Sequence, residues 1–154
     1  TALAEKQKLK AQYGVLERQF RRYFETALSR RGITGETLLQ LLETRLDNIV
    51  YRLGFARTRT AARQMVSHGH VKVNGRKCDI SSSNLKPGDV VTIKDSPKPR
   101  ALAARQMEAT QIRTVPEWLV VDRDNFSGTV SRIPSRDEIA PVVNEQLVVE
   151  LYSR

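Results

Sequence analysis

Apolar side chains in the first third of the chain recur every three or four residues, which is the period of an α-helix. Residues 16–31 carry four large apolar side chains at intervals of four, with an alanine beside them: Leu16, Phe20, Phe24, Leu28 and Ala27. This spacing predicts an amphipathic helix that ends near Gly32 and buries the whole stripe. The opposite face is rich in arginine, which is unusual for a surface unless an anion binds there.

A second helical region follows, because apolar residues form one stripe along residues 38–53. Thr34 or Thr37 can cap its beginning, and Gly54 ends it. Thr44 can cap a fresh turn, so the region is predicted to divide into two helices at this residue.

A short helix and a β-hairpin are predicted next. Thr58 or Thr60 caps the helix, Gly69 ends it, and its buried side holds three apolar residues, Ala62, Met65 and Val66. Residues 70–73 then alternate polar and apolar and lead into Asn74-Gly75, a dipeptide that strongly favours a two-residue hairpin turn.

The remainder of the chain is predicted to contain short strands and helices. The predicted strands are residues 77–80, 90–93, 118–122 and 129–133. The predicted helices are residues 101–111, a short helix opened by a Ser135/Glu138 capping box, and the tail after Asn144.

The charge of the chain is unevenly distributed. The 26 lysines and arginines exceed the 17 aspartates and glutamates, which gives a formal net charge of +9. Residues 1–36 carry 8 basic and 4 acidic side chains, residues 37–95 carry 10 and 5, and residues 96–154 carry 8 and 8. All of the excess therefore lies in the first two thirds, and it predicts binding to a polyanion such as a nucleic acid.

Several classes of protein are disfavoured by what the sequence lacks. It has no glycine-rich phosphate loop, no GxSxG motif, no CxxC pair and no apolar run of the ~18–20 residues that cross a bilayer. The single Cys78 excludes an internal disulfide and fits a reducing compartment, while His68 and His70 lack a third metal ligand nearby. We therefore expect no catalytic site, no metal and no cofactor.

Residues 45–76 hold the strongest candidate for a nucleic-acid surface. Their basic side chains fall on polar positions of the two predicted helices and the hairpin: Arg45, Arg57, Arg59, Arg63, His68, His70, Lys72 and Arg76. Arg59 and Arg63 are one helical turn apart, and Lys72 shares a strand face with His70, so one positive ridge is predicted. We expect both arginines to be exposed. Few aromatic residues accompany them, which favours recognition of folded RNA by shape and backbone.

The same segment resembles a known RNA-binding domain. The stretch RLDNIVYRLGFARTRTAARQMVSHGHVKVNG, with the later LKPGDVVTI, resembles the domain named after the fourth small-subunit ribosomal protein. The flanking stretches are similar to that ribosomal protein family itself, of bacterial or organellar type, from end to end: EKQKLKAQYGVLERQFRRYF, TGETLLQLLETRLDNIVYRLGF, VPEWLVVD and NEQLVVELYSR.

The resemblance implies an α+β fold in two domains. Residues 1–42 and 134–154 would form a helical domain, and residues 43–133 would form an inserted RNA-binding domain of two short helices packed on a small antiparallel sheet. The RNA-binding residues that it implies in the helical domain are Lys6, Lys10, Tyr13, Arg18, Arg21 and Arg22, and those in the inserted domain are the eight named above.

The resemblance also implies a function. Family members bind 16S-type ribosomal RNA at a multi-helix junction of its 5′ domain and nucleate assembly of the small subunit. They lie near the mRNA entry path beside the third and fifth small-subunit proteins, influence translational accuracy, and in some cases repress their own mRNA. The expected location is a bacterial cytoplasmic or an organellar ribosome, away from membranes.

Two alternative functions stay open. The same domain occurs in RNA-modifying enzymes and in an RNA chaperone, and the paired helices over residues 46–53 and 60–68 resemble a DNA-binding helix-turn-helix.

The start of the chain differs from the usual pattern of the family. Thr1 stands where a natural chain would begin with Met, so we expect a processed or truncated start. The family usually has a further N-terminal segment, which in some members binds zinc through cysteines.

Overall fold

The computed structural model describes residues 1–139 and 143–152. Within them the chain forms helices and strands in this order: α1 (Ala2–Tyr13), α2 (Glu17–Ser29), α3 (Thr34–Glu43), α4 (Leu46–Arg52), α5 (Arg59–Ser67), β1 (Val71–Val73), β2 (Arg76–Lys77), β3 (Val90–Ile93), α6 (Pro97–Thr110), β4 (Leu119–Asp122), β5 (Ser127–Val130), α7 (Arg136–Ile139) and α8 (Glu145–Tyr152). The α+β fold class is confirmed.

The chain divides into two compact units. Unit 1 comprises Thr1–Glu43 and the described part of Pro134–Arg154, and unit 2 comprises Thr44–Ile133. Unit 1 is helical, and unit 2 contains the sheet together with α4, α5 and α6. None of the helices in the described ranges is both long and apolar enough to span a bilayer.

Unit 1 is built around the apolar faces of α1, α2, α3 and α8. Its buried core includes Leu9, Phe20, Phe24, Leu38, Leu42 and Val148. The α1 helix begins at a Thr1 cap, whose Oγ1 accepts a hydrogen bond from the Ala4 N–H at 3.1 Å, and ends at Gly14 with φ of 66°. The tail after Asn144 is a helix, as predicted.

The buried face of α2 differs from the predicted stripe. Phe20 and Phe24 are buried as expected, but Leu16 is 79% exposed and Leu28 is 59% exposed, while Tyr23 is buried. Residues at intervals of four drift by about 40° per step around a helix of 3.6 residues per turn. This drift turns Leu28 away from the buried face, whereas Leu16 is exposed because it precedes α2 and has extended backbone, with φ of −80° and ψ of 158°. The helix also ends at Ser29, before Gly32.

Unit 2 is organised around an antiparallel sheet with strand order β2-β1-β3-β5-β4. Helices α4 and α5 contribute buried apolar residues to one core with the sheet, including Leu46, Ile49, Leu53, Met65, Val91 and Trp118. The division at Thr44 is confirmed, and Thr58 caps α5 by accepting from the Ala61 N–H at 3.0 Å. The Asn74-Gly75 turn is also confirmed, with φ of 52° and 81°.

Three elements of unit 2 have bounds that differ from the prediction. The return strand of the hairpin is only Arg76–Lys77, and α6 begins at Pro97, where proline favours the first helical turn. Strand β5 is Ser127–Val130 rather than residues 129–133. Glycine has a low strand propensity, so Gly128 argues against a strand at this position in the sequence. The structure favours glycine at position 128, because an added Cβ would lie 2.4 Å from Cδ2 of Leu53.

Candidate nucleic-acid interface

One segment of unit 2 contains basic residues and no acidic ones. Residues 48–78 hold seven lysines and arginines, two histidines and no aspartate or glutamate. The structure folds this segment into most of α4, all of α5 and the β1–β2 hairpin. We call this region the basic surface. Arg57, His68 and Arg76 are exposed on it, while His70 and Lys72 are half-buried.

Like charges face each other across the hairpin of the basic surface. The register pairs Lys72 of β1 with Lys77 of β2, and Val73 with Arg76. Directly opposed like charges destabilise an antiparallel pair, so this arrangement fits a hairpin that meets a polyanion. Lys77 is absent from the predicted RNA-binding residues. The two-residue turn at Asn74-Gly75 fixes this register, and that signal identifies Lys77 from sequence.

A buried carboxylate organises the arginines of the basic surface. Asp47 lies in the first turn of α4, and its Oδ2 accepts hydrogen bonds from Nη2 of Arg45 at 2.9 Å and from Nε of Arg63 at 3.2 Å. Its Oδ1 accepts from Nε of Arg45 at 3.1 Å and from the Asn48 N–H at 2.7 Å. The beginning of α4 therefore fixes the position of Arg63 on α5.

Arg59 is held by the same turn of α4. Its Nε donates to Oδ1 of Asn48 at 2.8 Å, and its guanidinium lies 4.5 Å from the ring centroid of Tyr51. The prediction that Arg59 and Arg63 are exposed is wrong, because both are half-buried and Arg63 is only 37% exposed. The reason is that α5 packs against α4 with these side chains directed at its first turns. Their prediction as RNA-binding residues stays a prediction.

Arg45 occupies the interior of unit 2. Its side chain is only 3% exposed and forms an ion pair with Asp47. A guanidinium in this position balances a buried carboxylate and does not reach a ligand at the surface. We therefore leave Arg45 out of the proposed RNA surface, although it is one of the RNA-binding residues predicted from the sequence.

The basic residues of unit 1 fall into two groups. Lys6 and Lys10 of α1 bind Glu17, with their Nζ atoms 2.6 Å and 2.8 Å from its carboxylate oxygens. Tyr13 is buried and donates a hydrogen bond to the carboxylate of Glu43. These three side chains serve the packing of unit 1, and we leave buried Tyr13 out of the proposed RNA surface.

The second group lies on α2. Arg18, Arg21 and Arg22 are all exposed, as expected from the arginine-rich face of this helix. Nη2 of Arg21 lies 3.9 Å from Oε1 of Glu17, and this ion pair is weak because it is long and both side chains are partly exposed. These three arginines form the candidate RNA-binding face of unit 1.

The cluster at Glu17 predicts a dependence of stability on pH. Hydrogen bonds from Lys10 and Lys6 lower the pKa of Glu17 from 4.5 to about 2. The unfolded chain therefore binds a proton here at a higher pH than the folded chain. This contribution to stability is complete above pH 4.5 and is lost as the pH falls toward 2. We expect Glu17→Gln to be less stable than the parent at pH 7 and to lose less stability across that window in circular-dichroism melts.

Glu25→Gln provides the matched control for Glu17→Gln, because Glu25 is an exposed carboxylate of the same helix. Its pH profile is expected to follow that of the parent. Equal acid sensitivity of Glu17→Gln and the parent would contradict the assignment of this dependence to Glu17.

The two histidines lie at the C-terminal end of α5 and the start of the hairpin. Their ring centroids are 6.0 Å apart in an edge-to-face arrangement with an interplanar angle of 75°. Within residues 1–139 and 143–152, no group of three or more histidine, cysteine or acidic side chains is arranged to hold a metal.

Comparison with known proteins matches both units. The model of the ribosomal protein S4/S9 N-terminal domain matches residues 1–43, and that of the S4 domain matches residues 44–91. The chain is 59% identical to the small ribosomal subunit protein uS4 of Akkermansia muciniphila over 152 residues, which cover 99% of this chain and 75% of that protein. It is 58% identical to the uS4 proteins of Opitutus terrae and Dictyoglomus thermophilum, covering 99% of this chain and 75% and 73% of theirs. On this similarity over nearly its whole length, the chain belongs to the small ribosomal subunit protein uS4 family.

Proposed function

We propose that the protein is a structural component of the small ribosomal subunit that binds small-subunit ribosomal RNA directly. The observation that carries this proposal is the basic surface, in which no acidic residue occurs between positions 48 and 78 and Lys72 faces Lys77 across the hairpin. Such a surface gains from neutralising phosphates and releasing their counterions. Membership of the uS4 family supports ribosomal RNA as the polyanion.

The proposed contacts come from each unit separately. On unit 2 they are Arg57, Arg59, Arg63, His68, His70, Lys72, Arg76 and the added Lys77, and on unit 1 they are Arg18, Arg21 and Arg22. Lys6 and Lys10 are left out, because both pair with Glu17 and their side chains are only 11% and 16% exposed. Arginine supplies most of the charge and can donate two parallel hydrogen bonds to a phosphate. The hydrogen bonds of Arg59 to Asn48 and of Arg63 to Asp47 position these guanidinium groups before RNA binds.

The finer features of the proposal rest on the family resemblance. They are binding at a multi-helix junction of 16S-type RNA, nucleation of subunit assembly, a position near the mRNA entry path beside the third and fifth small-subunit proteins, and a role in accuracy. Repression of its own mRNA and residence in a bacterial cytoplasmic or an organellar ribosome belong to the same proposal. In this function the protein is not an enzyme.

The exposed cations of the hairpin test RNA binding. We expect Arg76→Ala/Lys77→Ala to weaken binding of small-subunit ribosomal RNA by about tenfold or more, because two phosphate contacts are lost. The slope of log K against log salt should flatten by about 1.4–1.8 units in the same variant. Both side chains are exposed, so the free energy of unfolding should change by no more than about 0.5 kcal/mol per substitution. Filter binding across a salt series measures both effects.

Lys86→Ala/Arg105→Ala is the matched control, since it removes the same charge from exposed positions of unit 2 outside the basic surface. The control is expected to bind RNA with nearly the parent affinity and slope. An equal loss in both variants would mean that net charge alone governs binding. Duplex DNA that competes as well as ribosomal RNA would instead support the helix-turn-helix alternative.

A further inference from the structure

Unit 2 contains a cavity that the proposed phosphate contacts do not use. It has a volume of about 330 Å³ and lies between α5 and α6, with His70 at the beginning of the hairpin completing its wall. This volume is at the small end of the range of ligand-binding clefts, ~300–1,000 Å³. The cavity opens beside the basic surface, because α5 and His70 contribute to both.

The walls of the cavity combine apolar groups with side-chain amides. Met65 of α5 and Leu102 of α6 supply apolar surface. Gln64 and Gln106 lie on the same two helices and line the cavity with carboxamides. Oε1 of Gln106 accepts a hydrogen bond from the Arg57 N–H at 2.8 Å, which orients that amide and leaves its NH2 group as a donor. A flat ligand with polar edges fits walls of this kind.

The remaining walls are cationic or titratable. His68, His70 and Lys98 all line the cavity. Burial lowers the pKa of the His70 imidazole first, and its proximity to His68, Lys98 and Lys94 lowers this pKa further. The ammonium group of Lys98 supplies a cation at the cavity wall, to which an anionic group of a ligand can bind.

We propose that this cavity receives one unstacked base of the bound RNA, with the adjoining phosphate against Lys98. Bases that leave a helical stack are recognised by contact with aromatic or imidazole rings and by hydrogen bonds to their edges. The cavity offers these elements through its histidines, its two carboxamides and its apolar walls, together with a cation for the phosphate. The inference rests on the proposed function, since it specifies the part of the bound RNA that enters the cavity of unit 2.

The two histidines provide a direct spectroscopic readout. They are the only histidines in the chain, and both line the cavity, so their imidazole NMR signals report on its occupancy. The full chain is titrated with adenosine 5′-monophosphate, and separately with adenosine and with inorganic phosphate. We expect saturable shifts of both imidazole signals with the nucleotide, and much smaller shifts with inorganic phosphate at the same concentration.

Gln64→Ala/Lys98→Ala removes one amide and the cation from the cavity at exposed positions. This variant is expected to lose the nucleotide-induced shifts and to bind small-subunit ribosomal RNA about tenfold more weakly. Lys86→Ala, which removes an exposed lysine of unit 2 outside the cavity, is expected to retain both. Unchanged fluorescence of the buried Trp118 confirms that each variant is folded.

Two results would overturn the base-binding inference. If inorganic phosphate shifts the imidazole signals as strongly as the nucleotide does, the cavity is an anion site. If the nucleotide causes no saturable shifts, the cavity does not bind a base. Failure of the proposed function is a separate outcome, because the parent protein would then not bind ribosomal RNA whatever the response of the histidines.

Discussion

Asp47→Ala is expected to lower the free energy of unfolding of unit 2 by about 3–5 kcal/mol, because it removes the carboxylate of a buried ion pair with Arg45. Asp47 and Arg45 are 2% and 3% exposed in their side chains. Water cannot solvate Arg45 at that depth, and Arg63 and the Asn48 N–H lose the same acceptor. The variant therefore breaks several hydrogen bonds at one carboxylate.

Fluorescence of Trp118 measures this loss, since it is the only tryptophan in the chain and is buried in the core of unit 2. Asp95→Ala, at an exposed carboxylate of the same unit, is the control and should change stability by no more than about 0.5 kcal/mol. A midpoint for Asp47→Ala close to that of the control would contradict the structural role of the carboxylate.

The same substitution is expected to reduce RNA binding even under conditions where the protein stays folded. Nε of Arg63 would lose its hydrogen bond to Oδ2 of Asp47, so the side chain would be less well positioned before RNA binds. Asp47→Asn separates charge from shape, because it keeps the size of the side chain. We expect it also to be destabilised, since an amide presents fewer acceptors to two guanidinium groups.

Signals that act within a few residues predicted the structure well. The Thr58 cap and the Asn74-Gly75 turn are local devices, and each lies where the sequence indicates. The hydrogen bonds that define a cap or a two-residue turn join residues that are close in sequence. Nothing distant in the chain was needed to recognise them.

Contacts between distant residues were harder to predict. The basic side chains Lys6 and Arg63 look alike in sequence, yet Lys6 binds Glu17 eleven residues away and Arg63 binds Asp47 sixteen residues away. Nothing in the sequence around Glu17 or Asp47 distinguishes these two acidic residues from the others in the chain. Only the packing of α1 beside Glu17, and of α5 on α4, decides which cations pair with an acid.

Strand β5 gives a third case, in which a packing requirement reverses a local preference. Gly128 is a poor strand former, but Leu53 fills the space in which a side chain at this position would lie. The prediction therefore placed the strand two residues too late, on the valine and isoleucine that follow.

Phe20→Ala is expected to lower the free energy of unfolding of unit 1 by about 3–5 kcal/mol, because it leaves a cavity in a close-packed core. Phe20 is fully buried, and its ring centroid lies 6.0 Å from that of Tyr152 on α8. The small size of the unit gives it few other apolar contacts with which to offset the loss. Circular dichroism at the helix band measures the effect, since the regular elements among the described residues of unit 1 are all helices.

Leu16→Ala is the control that distinguishes the observed helix face from the one expected from spacing. Leu16 belongs to the same four-residue pattern as Phe20 but precedes the first residue of α2 and is 79% exposed. Its replacement is expected to change the free energy of unfolding by no more than about 0.5 kcal/mol. Comparable losses from the two substitutions would place both side chains on one buried face. The extended backbone of Leu16, outside the first turn of α2, argues that only Phe20 of this pair lies there.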